Sequence, residues 1–137
     1  MQEQVQDPMV GAAQASSAMP GNWWNTQECC LASTSVDVSK IDPNLASFLR
    51  SAGKLHAYLF GKPMTITSGN DGNHVAHSAH YLNFAADIRS RDLAPDGAML
   101  FTAVLCYIAP FYKIVVFDER ATAGQHWHVQ TAASAGA

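Results

Sequence analysis

Charge is scarce in this chain: 14% of its 137 residues are Asp, Glu, Lys or Arg, and the formal net charge is −3. Nucleic-acid binding rests on Lys and Arg that neutralise phosphates, and no basic footprint exists here, so no nucleic-acid partner is expected. Long apolar runs are missing as well. No stretch reaches the roughly 18 residues that a membrane-crossing helix requires, so no membrane span is expected. The opening residues, MQEQVQDPMV, carry neither a basic start nor an apolar run. They do not read as a secretory signal peptide. Cysteine is limited to Cys29, Cys30 and Cys106, too few for a disulfide framework and wrongly spaced for a four-cysteine zinc site. Free thiols are the expectation, and any bound metal must rely on imidazole and carboxylate. What the chain does have is apolar matter, 48% of its residues. That suffices for one domain with a core that needs no disulfide staple.

The character of the chain changes near residue 40. Residues 1–35 are rich in Gln, Ala, Ser, Met and Gly without a sustained apolar period, which predicts an extended N-terminal arm. Trp23–Trp24 interrupts it and suggests docking on this domain or on a neighbouring subunit. Residues 36–131 form the expected domain, and 132–137 a flexible tail. Asp42-Pro43 is a helix start, with Asp as cap and Pro at the first position. Leu45, Phe48, Leu49, Ala52, Leu55 and Leu59 follow at helical spacing until Gly61 and Pro63, which puts His56 on the exposed side. Met64–Thr67 alternates as a strand. A loop, SGNDGN, comes next, and Phe84–Ile88 reads as a second strand. Pro95–Ala109 predicts a second helix carrying Met99, Leu100, Ala103, Val104 and Tyr107, with Cys106 buried in it as a small hydrophobe. Lys113–Phe117 and His126–Gln130 complete the strands. The fold class expected is α+β, a small, mostly antiparallel sheet packed with two helices.

Five of the six histidines fall between residues 74 and 128. Two spacings stand out, His80 to Asp87 and His126-Trp127-His128. Residues i and i+2 of a strand project the same way, so His126 and His128 share a face and Trp127 points to the other, towards the core. A catalytic zinc site takes three nitrogen or oxygen ligands and keeps one position open. One strand offering Asp87 and another offering histidine is a sensible way to assemble it.

Residues 68–93, SGNDGNHVAHSAHYLNFAADIRSRDL, with the later His126-Trp127-His128, resemble the metal-binding segments of zinc peptidoglycan peptidases of the D-alanyl-D-alanine carboxypeptidase type. That group includes phage L-alanyl-D-glutamate endolysins and shares its fold with the amino-terminal domain of hedgehog proteins. The matching elements are Ser78-Ala79-His80, Ala85-Ala86-Asp87 and the His-x-His. The resemblance spans roughly residues 40 to 131. It implies one Zn2+ per chain on His80, Asp87 and His128, with His126 beside the metal. It further implies a general base, Asp118 or Glu119, and an oxyanion-stabilising role for His126. Zinc would lower the pKa of its water to about 7 and polarise the scissile carbonyl.

Three departures from the family pattern are visible. Asn83 stands where the family often has Gly. The acidic pair lies seven and eight residues ahead of His126 rather than three to six. The family's carboxylate-gripping Arg is replaced by Asn70-Asp71, which leaves Arg89 or Arg91 for that role and makes Ser78 and Arg89 the substrate-binding candidates. His74 and His77 are either solvated or part of the cleft. The function implied is cleavage of peptidoglycan stem peptides or cross-bridges by a phage-encoded endolysin or virion-associated enzyme. It would reside in the host cytoplasm or on the virion, with the arm as a contact to a virion or neighbouring subunit. The alternative is a virion structural or binding protein that keeps the fold without turnover.

Overall fold

Asp42 accepts a hydrogen bond from the Leu45 amide at 3.1 Å and Pro43 follows it, so the first helix, α1 (Pro43–Phe60), starts where the sequence predicts. It ends at Gly61, whose φ of 70° is a left-handed conformation that glycine adopts without steric cost. The computed structural model describes residues 24–70 and 83–135. Three-residue β1 (Cys29–Leu31) precedes α1. After it come β2 (Met64–Ser68), β3 (Ala85–Arg89), α2 (Pro95–Ile108) with a 3-10 turn at Ala109–Tyr112, β4 (Ile114–Glu119), β5 (His126–Thr131) and a short α3 (Ala132–Ala135).

The five strands form one sheet in the order β1-β2-β3-β5-β4. Its pairings are antiparallel except for β1 with β2. The expected class, α+β with a mostly antiparallel sheet and two main helices, is what the chain adopts. Leu45, Phe48, Leu49 and Ala52 of α1 and Phe101 and Leu105 of α2 bury against Met64, Ile66, Ile88, Trp127 and Val129 of the sheet. Trp127 is fully buried, its ring edge-on to Phe101 at 5.4 Å, and its indole N–H donates to Thr102 Oγ1 at 2.9 Å. Both helices therefore cover one sheet face.

Several expectations need correction. The extended arm does not reach residue 35: Trp24 and Cys29 are core residues, and β1 adds a strand to β2. The pairing Cys29↔Met64, Cys30↔Thr65, Leu31↔Ile66 is too short to leave a period in the sequence. Trp23 and the residues before it lie outside the described residues. The buried face of α2 is Ala98, Phe101 and Leu105. Met99 and Tyr107, expected inside, are 65% and 73% exposed, and Leu100 is exposed with them. Cys106 is exposed rather than buried. α2 is apolar on most sides, so spacing alone does not choose its inner face. His56, placed on the outer side by the spacing of α1, is instead buried at 2% exposure. Its Nδ1 lies 2.8 Å from the Lys62 carbonyl, and its ring meets Phe60 and Phe101 edge-on.

Candidate functional site

Alternation along β3 and β5 sends Ala86, Ile88, Trp127 and Val129 to the helix-covered face. Asp87, Arg89, His126, His128 and Gln130 therefore share the other face. The register sets Asp87 opposite His128 and Arg89 opposite His126. On the far side of β5, Phe117 stands opposite His128 and Glu119 opposite His126. Four groups capable of proton or metal chemistry thus meet across three neighbouring strands.

Their distances are short. Asp87 Oδ1 lies 3.2 Å from His128 Nδ1 and 3.7 Å from His126 Nε2. His126 Nε2 lies 2.7 Å from Glu119 Oε1. A carboxylate offers only acceptors, so the ring nitrogen donates there. His128 Nε2 faces Gln130 Oε1, and the Phe117 ring tilts over His128 at a centroid distance of 5.6 Å. Burial alone would push the His128 imidazole down. Its hydrogen bonds to Asp87 and Gln130, with the charges of Asp87 and Glu119, outweigh that and raise it above its ordinary value.

The acidic pair ahead of β5 separates by role. Glu119 points into the cluster. Asp118 stands opposite Trp127, on the other side of β4, and accepts hydrogen bonds from Arg120 Nε and Nη2, both at 2.8 Å. Those hydrogen bonds hold its carboxyl below the usual carboxylate range. The six residues that seemed too many between Glu119 and His126 form a folded-back loop. Thr122 Oγ1 donates to the Glu119 carbonyl, and the Ser90 amide and hydroxyl both donate to the Gln125 carbonyl. Gly124 lies against the His126 ring so closely that a Cβ there would sit 2.6 Å from Nδ1. The loop thereby fixes the ring that Glu119 holds.

Arg89 shares this face. Its Nη1 is 3.9 Å from Asp92, and its buried Nε has no hydrogen-bond partner among the described residues. Arg91 is exposed beyond the end of β3. Asn83, which stands where the resembling family often has glycine, takes φ 65°. Asparagine is one of the few other residues that adopt this conformation readily. Ser78 and His80, together with His74 and His77, lie outside the described residues.

Among the described residues no set of three His, Cys, Asp or Glu side chains converges as a metal-holding group. Asp87 and His128 nevertheless have the spacing of two ligands on one ion. Zinc-ligand bonds of about 2.0–2.1 Å at a tetrahedral angle put the ligand atoms roughly 3.3 Å apart. His126, turned towards Glu119, stands beside that point rather than on it. Sequence reasoning did not single out Gln130 or Phe117. The alternation that pairs His126 with His128 extends one step to Gln130, whereas Phe117 requires the β4–β5 register.

No described helix is long and apolar enough to cross a membrane. No protein-family model matches the chain, and neither the curated proteins nor the solved structures give a match.

Proposed function

We propose that this chain is a zinc-dependent peptidase acting on the peptides of bacterial peptidoglycan, with His80, Asp87 and His128 as metal ligands. The observation that carries the reading is the meeting of Asp87, His128, His126 and Glu119 on one sheet face, with Asp87 and His128 at ligand spacing. Two imidazoles and one carboxylate suit Zn2+ better than Mg2+ or Ca2+, which favour all-oxygen shells. Bound there, zinc supplies Lewis acidity at the scissile carbonyl and a water of lowered pKa.

The chain's own groups divide the remaining work. Glu119 accepts the proton of the attacking water and returns it to the leaving amine. The resemblance gives His126 the oxyanion-stabilising role, and here its ring is held between Glu119 and Gly124, so its Nε2–H would have to turn from Glu119 to the oxyanion. Arg89, at the end of the same face with its side chain partly exposed, is the candidate for a substrate carboxylate, and Ser78 belongs to the same binding role. The resemblance to cell-wall peptidases narrows the substrate class and supports a phage-encoded origin.

The test is release of peptide fragments from purified peptidoglycan by zinc-loaded protein, by chelator-treated protein and by Asp87→Ala. Cleavage by the first alone is expected. A zinc-loaded protein inactive on every wall chemistry would instead favour a virion structural or binding role on the same fold.

A further inference from the structure

Both ring nitrogens of His128 face oxygen atoms: Nδ1 faces Asp87 Oδ1 at 3.2 Å, and Nε2 faces Gln130 Oε1. A neutral imidazole has one N–H and one lone pair, so it cannot donate to both. If Nε2 keeps the proton, the lone pairs of Nδ1 and Asp87 Oδ1 are left facing each other at contact distance. Two acceptors at that spacing are stable only with a positive species between them. A divalent ion satisfies this at the ligand separation derived above.

We infer that Gln130 is a positioning residue that takes the Nε2–H of His128 and so leaves Nδ1 as the metal-binding atom, aimed at the same point as Asp87. This rests on the zinc reading above. Gln130 follows His128 by two residues on β5, so the two side chains project together. Its cross-strand neighbours are Ala85 and Val115, neither of which has a polar side chain to compete for the amide. An amide oxygen fixes the ring without adding negative charge beside Asp87 and Glu119. Partners of this kind set the tautomer and orientation of a metal-bound histidine, and their loss commonly weakens metal affinity by about 10–100-fold.

Zinc affinity is measured by competition with a chromophoric chelator for wild type, Gln130→Leu and Gln130→Glu, with thermal melting of each metal-free protein. The ring N–H of His128 in the zinc-loaded protein is followed by NMR. Wild type should bind one zinc per chain and show a slowly exchanging Nε2–H. Gln130→Leu should melt as wild type without metal, yet bind zinc about 10–100-fold more weakly and lose the protected N–H. Gln130→Glu, which keeps an acceptor at Nε2, should restore both. Wild-type binding with unchanged affinity in Gln130→Leu overturns this inference alone. A coordinated Nε2 with a free Nδ1 also overturns it. A wild type that binds no zinc overturns it together with the zinc reading, so the two failures are distinct.

Discussion

Glu119 and Asp118 are adjacent in sequence, yet β4 turns them to opposite sides, and their surroundings differ accordingly. Glu119 meets His126, while Asp118 is clamped by Arg120. The expected outcome is that Glu119→Gln lowers peptide release by about 10²–10⁴-fold with zinc retained, whereas Asp118→Asn leaves the rate within a few-fold of wild type. Equal losses in both variants would return the base to an open question. His56 gives a second prediction at this scale. Burial is the main cause holding its imidazole below the ordinary value. The nearby Lys62 charge adds to this, while the hydrogen bond to the Lys62 carbonyl and the Asp92 charge oppose it. The unfolded chain therefore takes up this proton near pH 6.5, before the folded one does. The contribution to stability is complete above that pH and is lost as pH falls towards the depressed folded value. In urea melts wild type should lose stability relative to His56→Gln as pH falls from about 7.5 to 5, the difference between the two isolating His56 from the raised His128, which acts in the opposite sense.

Among the elements, β1 has the most to say about where the domain begins. Trp24 and Cys29 are buried, Cys30 Sγ lies 3.4 Å from Thr65 Oγ1, and the Met64 amide donates to the Glu28 carbonyl. Losing two or three buried side chains costs several kcal/mol, so a chain beginning at Val36 should melt on the order of 10–20 °C lower. An unchanged melting temperature would make the β1 pairing dispensable. β1 was illegible because three residues carry no period and Gln, Ser and Ala surround them. α1 was legible because Asp42-Pro43 and Gly61 are end signals with local causes, whereas the inner face of α2 depends on what it packs against. Much the same divides the site. Asp87, His126 and His128 follow from strand alternation within short segments. The choice of Glu119 over Asp118 depends on the register Glu119↔His126 across a loop, which no local pattern encodes.

At the scale of the whole molecule, a ligand that binds only the folded chain stabilises it by mass action. Zinc at about 100 times its Kd should add roughly 2.7 kcal/mol and raise the melting temperature by several degrees. Asp87→Ala and His80→Ala should abolish the shift, and elemental analysis should find their zinc lost. Full zinc in His80→Ala would exclude that residue as a ligand.

The arrangement of β3, β5 and β4 also sets an order of events in time. Glu119 and His126 are 7 residues apart and close with a local hairpin, while Asp87 and His128 are 41 apart and meet only when β3 docks on β5. Short loops close early and long-range strand pairing comes late in folding. A contact formed after the folding barrier slows unfolding without speeding folding. In stopped-flow measurements zinc should therefore lower the unfolding rate and leave the refolding rate unchanged. The metal would then act as a latch across the β3–β5 pairing, converting affinity into the lifetime of the folded chain.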